Sequence, residues 1–353
     1  MINGREIRVM IVDDSLIVRR LLEDSLRDVT GIRVVGTATN GLNALARLAE
    51  LDPDVVTLDV EMPQLDGLAT LRRLRAERPR LHVIMFSSLT GRAAATTLEA
   101  LANGAADCVV KPSGGGMTAT REAIRSTLVP KIEALCARPV SIGVAAAAPR
   151  RHAHPARLVA IGASTGGPAA LDAVLAALPA TLAAPVLVVQ HVPPMFSRLL
   201  AERLAHRCAL RVVEASRETE LTPGCVWIAP GDHHLVVARH GTQRGARLDD
   251  APPEGSCRPS VDVLFRSVAA ACGETVLGVV LTGMGHDGLR GCEAIRTAGG
   301  RVIVQDAATS IVWGMPGAVA RAGLADRIVP LSAVAGAIQA ACQVELEVMR
   351  ARG

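Results

Sequence analysis

The chain has 353 residues, half of them hydrophobic and 20% charged, a balance that suits folded globular domains and excludes disorder as the main state. Its length exceeds the ~250 to 300 residues at which single cores stop growing, so two domains are expected. The net charge of +4 rests on arginine, because Lys111 and Lys131 are the only lysines, and with no Tyr, three Phe and two Trp there is little to stack on bases, so nucleic acid is not expected as a partner.

The N-terminal stretch MINGREIRVMIVDDS enters a strand pattern directly, without a signal-peptide layout, and the apolar runs fall short of the ~18 to 20 residues of a membrane helix. A cytoplasmic chain without membrane insertion is expected. The eight cysteines are scattered without metal-ligand spacing and read as reduced thiols.

Residues 5–125 alternate short apolar runs (IRVMIV, RVVGTA, DVVTL, HVIMFS, DCVV) with amphipathic segments such as LIVRRLLEDSLRD. Five such units predict a doubly wound α/β domain with a five-stranded parallel sheet. Parallel sheets carry their functional groups at the carboxyl ends of strands, which here collects Asp13 and Asp14, then Asp59, Ser87 and Lys111. Three carboxylates beside a lysine suit Mg²⁺ with a counter-charged anion, Asp59 being able to accept a phosphoryl group and Ser87 and Lys111 to contact its oxygens. Taken singly, Asp14 or Ser15 would read as a helix N-cap. The segments IVDDS, LDVEMPQLDG and VVKPS resemble the receiver domain of bacterial two-component response regulators. That resemblance implies phosphorylation of Asp59, Mg²⁺ bound by Asp13, Asp14 and Asp59, and a metal shell completed by the main-chain carbonyl of Glu61. Cys108 stands where many receivers have an aromatic switch residue.

Residues 126–155, rich in Ala, Pro, Arg and His, read as a linker with some helix at its start. Over 156–348 the alternation resumes with RLVAIGA, PVLVVQ, VWIAP, HHLVVA, VLGVVLTG and RVIVQ, predicting a second α/β domain with a mostly parallel sheet. VWIAPGDHHLVVARHG reads as a β-hairpin turning at Pro-Gly-Asp.

The strand-end rule here selects Ser164, His191 and Asp287, the three residue types of a nucleophile, a base and an orienting carboxylate. Gly162-Ala163-Ser164-Thr165-Gly166 fits a strand-to-helix nucleophile elbow, and the Met284 amide is a candidate oxyanion donor. The alternatives are that Ser164 caps a helix, that Asp287 caps the helix starting DGLRGCEAIR, and that His233, His234 or His286 is the base.

The segments IGASTGGP, VVQHVPPMFSRLLAERL, APGDHHL, LTGMGHDG and VWGMPGAV resemble the catalytic domain of the chemotaxis protein-glutamate methylesterase (CheB) family over about residues 156–345. This implies hydrolysis of glutamyl methyl esters on methyl-accepting chemoreceptors, releasing methanol, and deamidation of selected glutamines. It further implies a chemotaxis histidine kinase as phosphodonor and no metal in the hydrolysis. His286 stands where the family commonly has Asn. A DNA-binding output is the competing reading, but the second half is rich in strands and shows no helix-turn-helix pattern; a silent receptor-binding scaffold would be separated only by assay.

Overall fold

A computed structural model describes residues 5–88, 90–112, 114, 116–137, 152, 154–240 and 243–343. Residues 138–151 and 153 of the expected linker, and 344–348 at the end of the expected second domain, lie outside the described residues. The chain divides into two units, Met1–Pro139 and Val140–Gly353.

In the first unit, strands β1 (Ile7–Val12), β2 (Ile32–Ala38), β3 (Val55–Asp59), β4 (His82–Ser87) and β5 (Asp107–Val110) form a parallel sheet in the order β2-β1-β3-β4-β5. All five residues of the central β3 are buried, whereas β2 at the edge is largely half-buried. A central parallel strand is covered on both faces, which is why β3 is buried without alternation, the polar Thr57 and Asp59 included. Helices start where short polar side chains take free amides: Asn40 Oδ1 accepts from Asn43 N at 2.9 Å and Asp66 Oδ1 from Ala69 N at 2.7 Å. At the first helix, Leu16–Leu26, Ser15 serves this purpose, which leaves the neighbouring Asp14 carboxylate out of the cap.

The last helix of this unit, Met117–Cys136, runs through the expected start of the linker. Pro130 reads as a breaker, yet Ile124, Leu128, Ile132 and Leu135 keep one buried stripe through it, and Lys131 Nζ reaches Asp107 Oδ2 at 2.6 Å.

In the second unit a seven-stranded sheet is parallel throughout. It contains β6 (Leu158–Ala163), β7 (Val186–Gln190), β8 (Arg211–Glu214), β10 (Cys225–Ile228), β13 (Val276–Val280), β14 (Arg301–Gln305) and β15 (Arg327–Val329), in the order β15-β14-β13-β6-β7-β10-β8. A separate antiparallel sheet joins β11 (His234–His240) to β12 (Gln243–Asp249) and β12 to β9 (Glu218–Glu220). The hairpin therefore lies one strand later than the sequence suggests. The VWI of β10 is buried between neighbours on both sides and is retained by the large sheet, and the chain leaves it through Asp232, whose φ of 65° is left-handed.

Chain order in the large sheet reverses between β6 and β13, the position where open α/β sheets leave a crevice beyond their strand ends. Among the described residues no helix is long and apolar enough to cross a membrane.

Candidate active and phosphoacceptor sites

The crevice of the second unit receives Ser164 one residue beyond β6, His191 one residue beyond β7, and Asp287 in the loop that follows β13. The Ser164 carbonyl accepts from Gly167 N at 2.7 Å and its amide donates to Thr282 O at 3.0 Å. The following helix, Gly167–Ala176, is capped by Gly166 with no side-chain bond, so the Ser164 hydroxyl is not consumed as a cap. Gly283 brings the β13 loop against the serine: a Cβ there would stand 2.9 Å from Ser164 Cβ and 2.3 Å from Met315 Sδ. Met284 follows in that loop, half-buried, and among the described residues no hydrogen bond within the chain uses its amide.

His191 and Asp287 are bonded, Nε2 to Oδ2 at 2.9 Å. A carboxylate can only accept, so Nε2 carries a proton, and in the neutral ring Nδ1 keeps the lone pair. Asp287 also gathers the N-terminus of helix Val261–Cys272: Val261 N donates to Oδ2 at 2.7 Å, while Asp262 N and Ser260 Oγ each donate to Oδ1 at 2.9 Å. It thus caps a helix, though not the one after it, Leu289–Thr297, whose cap is Gly288. Burial alone would push the Asp287 carboxyl up, but the His191 hydrogen bond and charge and the two amides outweigh it and hold it below its ordinary value. Burial would conversely lower His191; the hydrogen bond to Asp287, followed by contact with Cys257, raises it to about 9.

The rival histidines are engaged elsewhere or exposed. His234 is fully buried, its Nε2 donating to Pro252 O at 3.1 Å and its Nδ1 accepting from Ser260 N at 3.1 Å. His233 bonds Asp250. His286 is exposed.

Supporting polar groups that sequence reasoning did not single out complete the site. Gln190 Nε2 donates to Ser164 O at 2.9 Å, and Thr282 Oγ1 donates to Thr165 O at 2.9 Å. Cys257 places Sγ 3.9 Å from His191 Nδ1. Gln190, next to His191 at the end of an apolar run, was the one such signal open to reading.

In the first unit the strand ends gather the other set. Lys111 Nζ lies 2.8 Å from Asp13 Oδ2 and 2.9 Å from Asp59 Oδ2. One ligand atom each from Asp13, Asp14 and Asp59 falls within 4.8 Å of the others. Ser87 is fully buried at the end of β4 and accepts from Thr97 Oγ1 at 2.7 Å, while Glu61 lies two residues beyond the end of β3. Burial raises the Asp59 carboxyl to about 6 against the Lys111 hydrogen bond, and the Asp13 charge adds to the rise. A donor set of hard oxygens in which like charges already repel is one that a small divalent cation would relieve, so these residues fit Mg²⁺. Burial pushes the Cys108 thiol up to about 12, leaving it a neutral thiol.

Residues 159–338 match the family model described as CheB methylesterase, and residues 9–121 the response regulator receiver domain. A protein of Trichodesmium erythraeum named protein-glutamate methylesterase/protein-glutamine glutaminase is 48% identical over 93% of this chain and 97% of its own length. A protein of the same name from Nocardioides sp. is 50% identical over 92% of each. The crystal structure of the Thermotoga maritima CheB methylesterase catalytic domain is 38% identical, covering 53% of this chain and 99% of that one, with a TM-score of 0.52.

Proposed function

The chain belongs to the CheB methylesterase family, with a response regulator receiver domain ahead of the catalytic domain, and we propose that it hydrolyses glutamyl methyl esters of chemoreceptors under control of Asp59 phosphorylation. The observation that carries the reading is the His191–Asp287 pair, 2.9 Å apart, brought together by the segments that follow β7 and β13, the two strands flanking the one that ends before Ser164.

In this reading Ser164 Oγ attacks the ester carbonyl while its proton passes to His191 Nδ1. Asp287 keeps Nε2–H directed and stabilises the imidazolium that results. Negative charge moves to the carbonyl oxygen, where the Met284 amide donates to it. Collapse expels methoxide, which takes the proton from Nδ1 and departs as methanol. Water then attacks the acyl-serine, giving its proton to His191, and glutamate is released as the serine recovers its own. A glutamine amide takes the same path with ammonia leaving, which gives the deamidase activity.

The phosphoacceptor is Asp59, with Lys111 as counter-charge, Ser87 beside the phosphoryl oxygens, and Asp13, Asp14, Asp59 and the Glu61 carbonyl holding Mg²⁺. When bound, that ion neutralises charge on the transferred phosphoryl group. The phosphodonor is a chemotaxis histidine kinase, the substrates are the cytoplasmic helices of methylated chemoreceptors, and the chain works in the cytoplasm. Methanol release from methylated receptor tests the chemistry: Ser164→Ala and His191→Ala should each lower it by roughly three orders of magnitude, the double variant being little worse than either. Near-normal release by folded Ser164→Ala protein would remove the serine from the mechanism.

A further inference from the structure

The ester hydrolysis makes no use of Cys257, yet this residue faces the ring nitrogen on which the chemistry turns, Sγ lying 3.9 Å from His191 Nδ1. Its loop is pinned on both sides. Cys257 N donates to Glu254 O at 2.9 Å and Glu254 N to Cys257 O at 3.1 Å, closing an isolated antiparallel bridge. Glu254 is gripped by Arg266 Nη1 at 2.8 Å, and next to the cysteine Arg258 Nη2 holds Asp232 Oδ1 at 2.7 Å. The thiol is therefore presented at a fixed place, partly open to solvent.

His191, Cys257 and Asp287 each offer a ligand atom, all within 4.8 Å of one another. Thiolate and imidazole are the donors that zinc-like cations prefer over oxygen. At the zinc bond lengths usual for sulfur and nitrogen, two such donors of one tetrahedral ion stand about 3.5 Å apart, so a small turn of the thiol closes the 3.9 Å gap. Asp287 is already bonded to the opposite ring nitrogen, which is the carboxylate–histidine arrangement that orients metal-binding imidazoles.

We propose that His191 Nδ1 and Cys257 Sγ form a binding site for a thiophilic divalent cation of the zinc class, and that occupation of this site silences the esterase. On binding, the thiol proton passes to solvent, a metal–sulfur and a metal–nitrogen bond form, and water fills the remaining positions without any change of oxidation state. The lone pair needed for the Ser164 proton is then engaged. The inhibition, unlike the binding, rests on His191 being the base.

The test uses the full chain in metal-free buffer. Titration with Co²⁺ alone should produce near-ultraviolet thiolate-to-cobalt absorption that is lost in both Cys257→Ser and Cys257→Ala and kept in Cys225→Ser, while the carboxylate cluster around Asp59, having no sulfur, adds nothing to that band. Asp287→Asn should weaken the cobalt titration about tenfold. Zn²⁺ alone should inhibit methanol release by the wild type, reversibly with chelator, and should not inhibit the Cys257 variants when each rate is expressed relative to that variant's own metal-free rate. Absorption that survives both Cys257 substitutions, or equal zinc inhibition of wild type and variants, overturns the proposal. Absorption lost in the Cys257 variants with hydrolysis untouched by zinc upholds the metal site and instead removes His191 from the role of base.

Discussion

At the scale of single residues, the hydrogen bond of His191 to Asp287, with Cys257 adding to it, raises the imidazole, and in the proposed mechanism this sets the pH of ester hydrolysis. In that proposed mechanism the neutral imidazole accepts the serine proton, and His191 is raised to about 9 from an ordinary 6.5. In chelated buffer kcat/KM should therefore climb through neutral pH and level off only as His191 loses its proton near 9. The same pairing contributes folding stability that is fully present below 6.5 and is lost as pH rises through about 9, because the folded state holds the proton more tightly than the unfolded chain. Asp287→Asn removes the anion, so the inflection should move down toward the ordinary imidazole value while the plateau falls, by less than in Ser164→Ala. A wild-type inflection near 6.5, or one that Asp287→Asn leaves in place, would show that the carboxylate does not govern the base.

At the scale of elements, the site depends on how closely β6 approaches helix Val261–Cys272, since one carries Ser164 and the other has its N-terminus fixed on Asp287. A Cβ at Gly162 would stand 2.4 Å from Val261 Cγ1 and 2.7 Å from Cγ2. Gly162→Ala should accordingly cost about 1–3 kcal/mol by overpacking, and should slow hydrolysis by drawing the serine away from the histidine–aspartate pair. Trimming the obstacle in Gly162→Ala/Val261→Ala should recover part of both losses, a coupling readable in thermal melts and methanol release; additive effects would mean the two side chains do not meet. This level also shows what the sequence made legible. Parallel strands announce themselves as apolar runs, and their carboxyl ends pointed to Ser164, His191, Asp59 and Lys111 before any pairing was known. The displaced hairpin was not legible, because β10 and the Leu235–Ala238 stretch of β11 are both short apolar runs around one turn signal, and only the competition for a place in the large sheet separates them. Nor were Thr282 and Ser260, whose partners lie 117 and 27 residues away, nor Cys257, which reaches His191 across 66.

At the scale of the whole molecule, the candidate hydrolytic residues and the candidate phosphoacceptor lie on sheets that share no strand, and the Thermotoga maritima catalytic domain, solved alone, matches 53% of this chain. Residues 156–343 expressed alone should therefore hydrolyse methyl esters and ignore a small-molecule phosphodonor, whereas the full chain with Mg²⁺ should take up label and change its rate of methanol release. Asp59→Asn should lose both label and response, and labelling that survives it would put the acceptor elsewhere. The two units also divide the lysines unevenly: both Lys111 and Lys131 lie in the first, each 23% exposed and each in an ion pair, Lys111 with Asp13 and Asp59, Lys131 with Asp107. Amine-reactive reagents thus meet only two side-chain targets in 353 residues, one beside Asp59 just past the end of β5 and one on helix Met117–Cys136, paired with Asp107 at the start of β5. Peptide mapping after brief acylation becomes a footprint with an internal standard: the Lys111 signal should change when Asp59 is phosphorylated or Asp13 is replaced, against a constant Lys131, so the switch can be followed without a radioactive donor or an engineered probe.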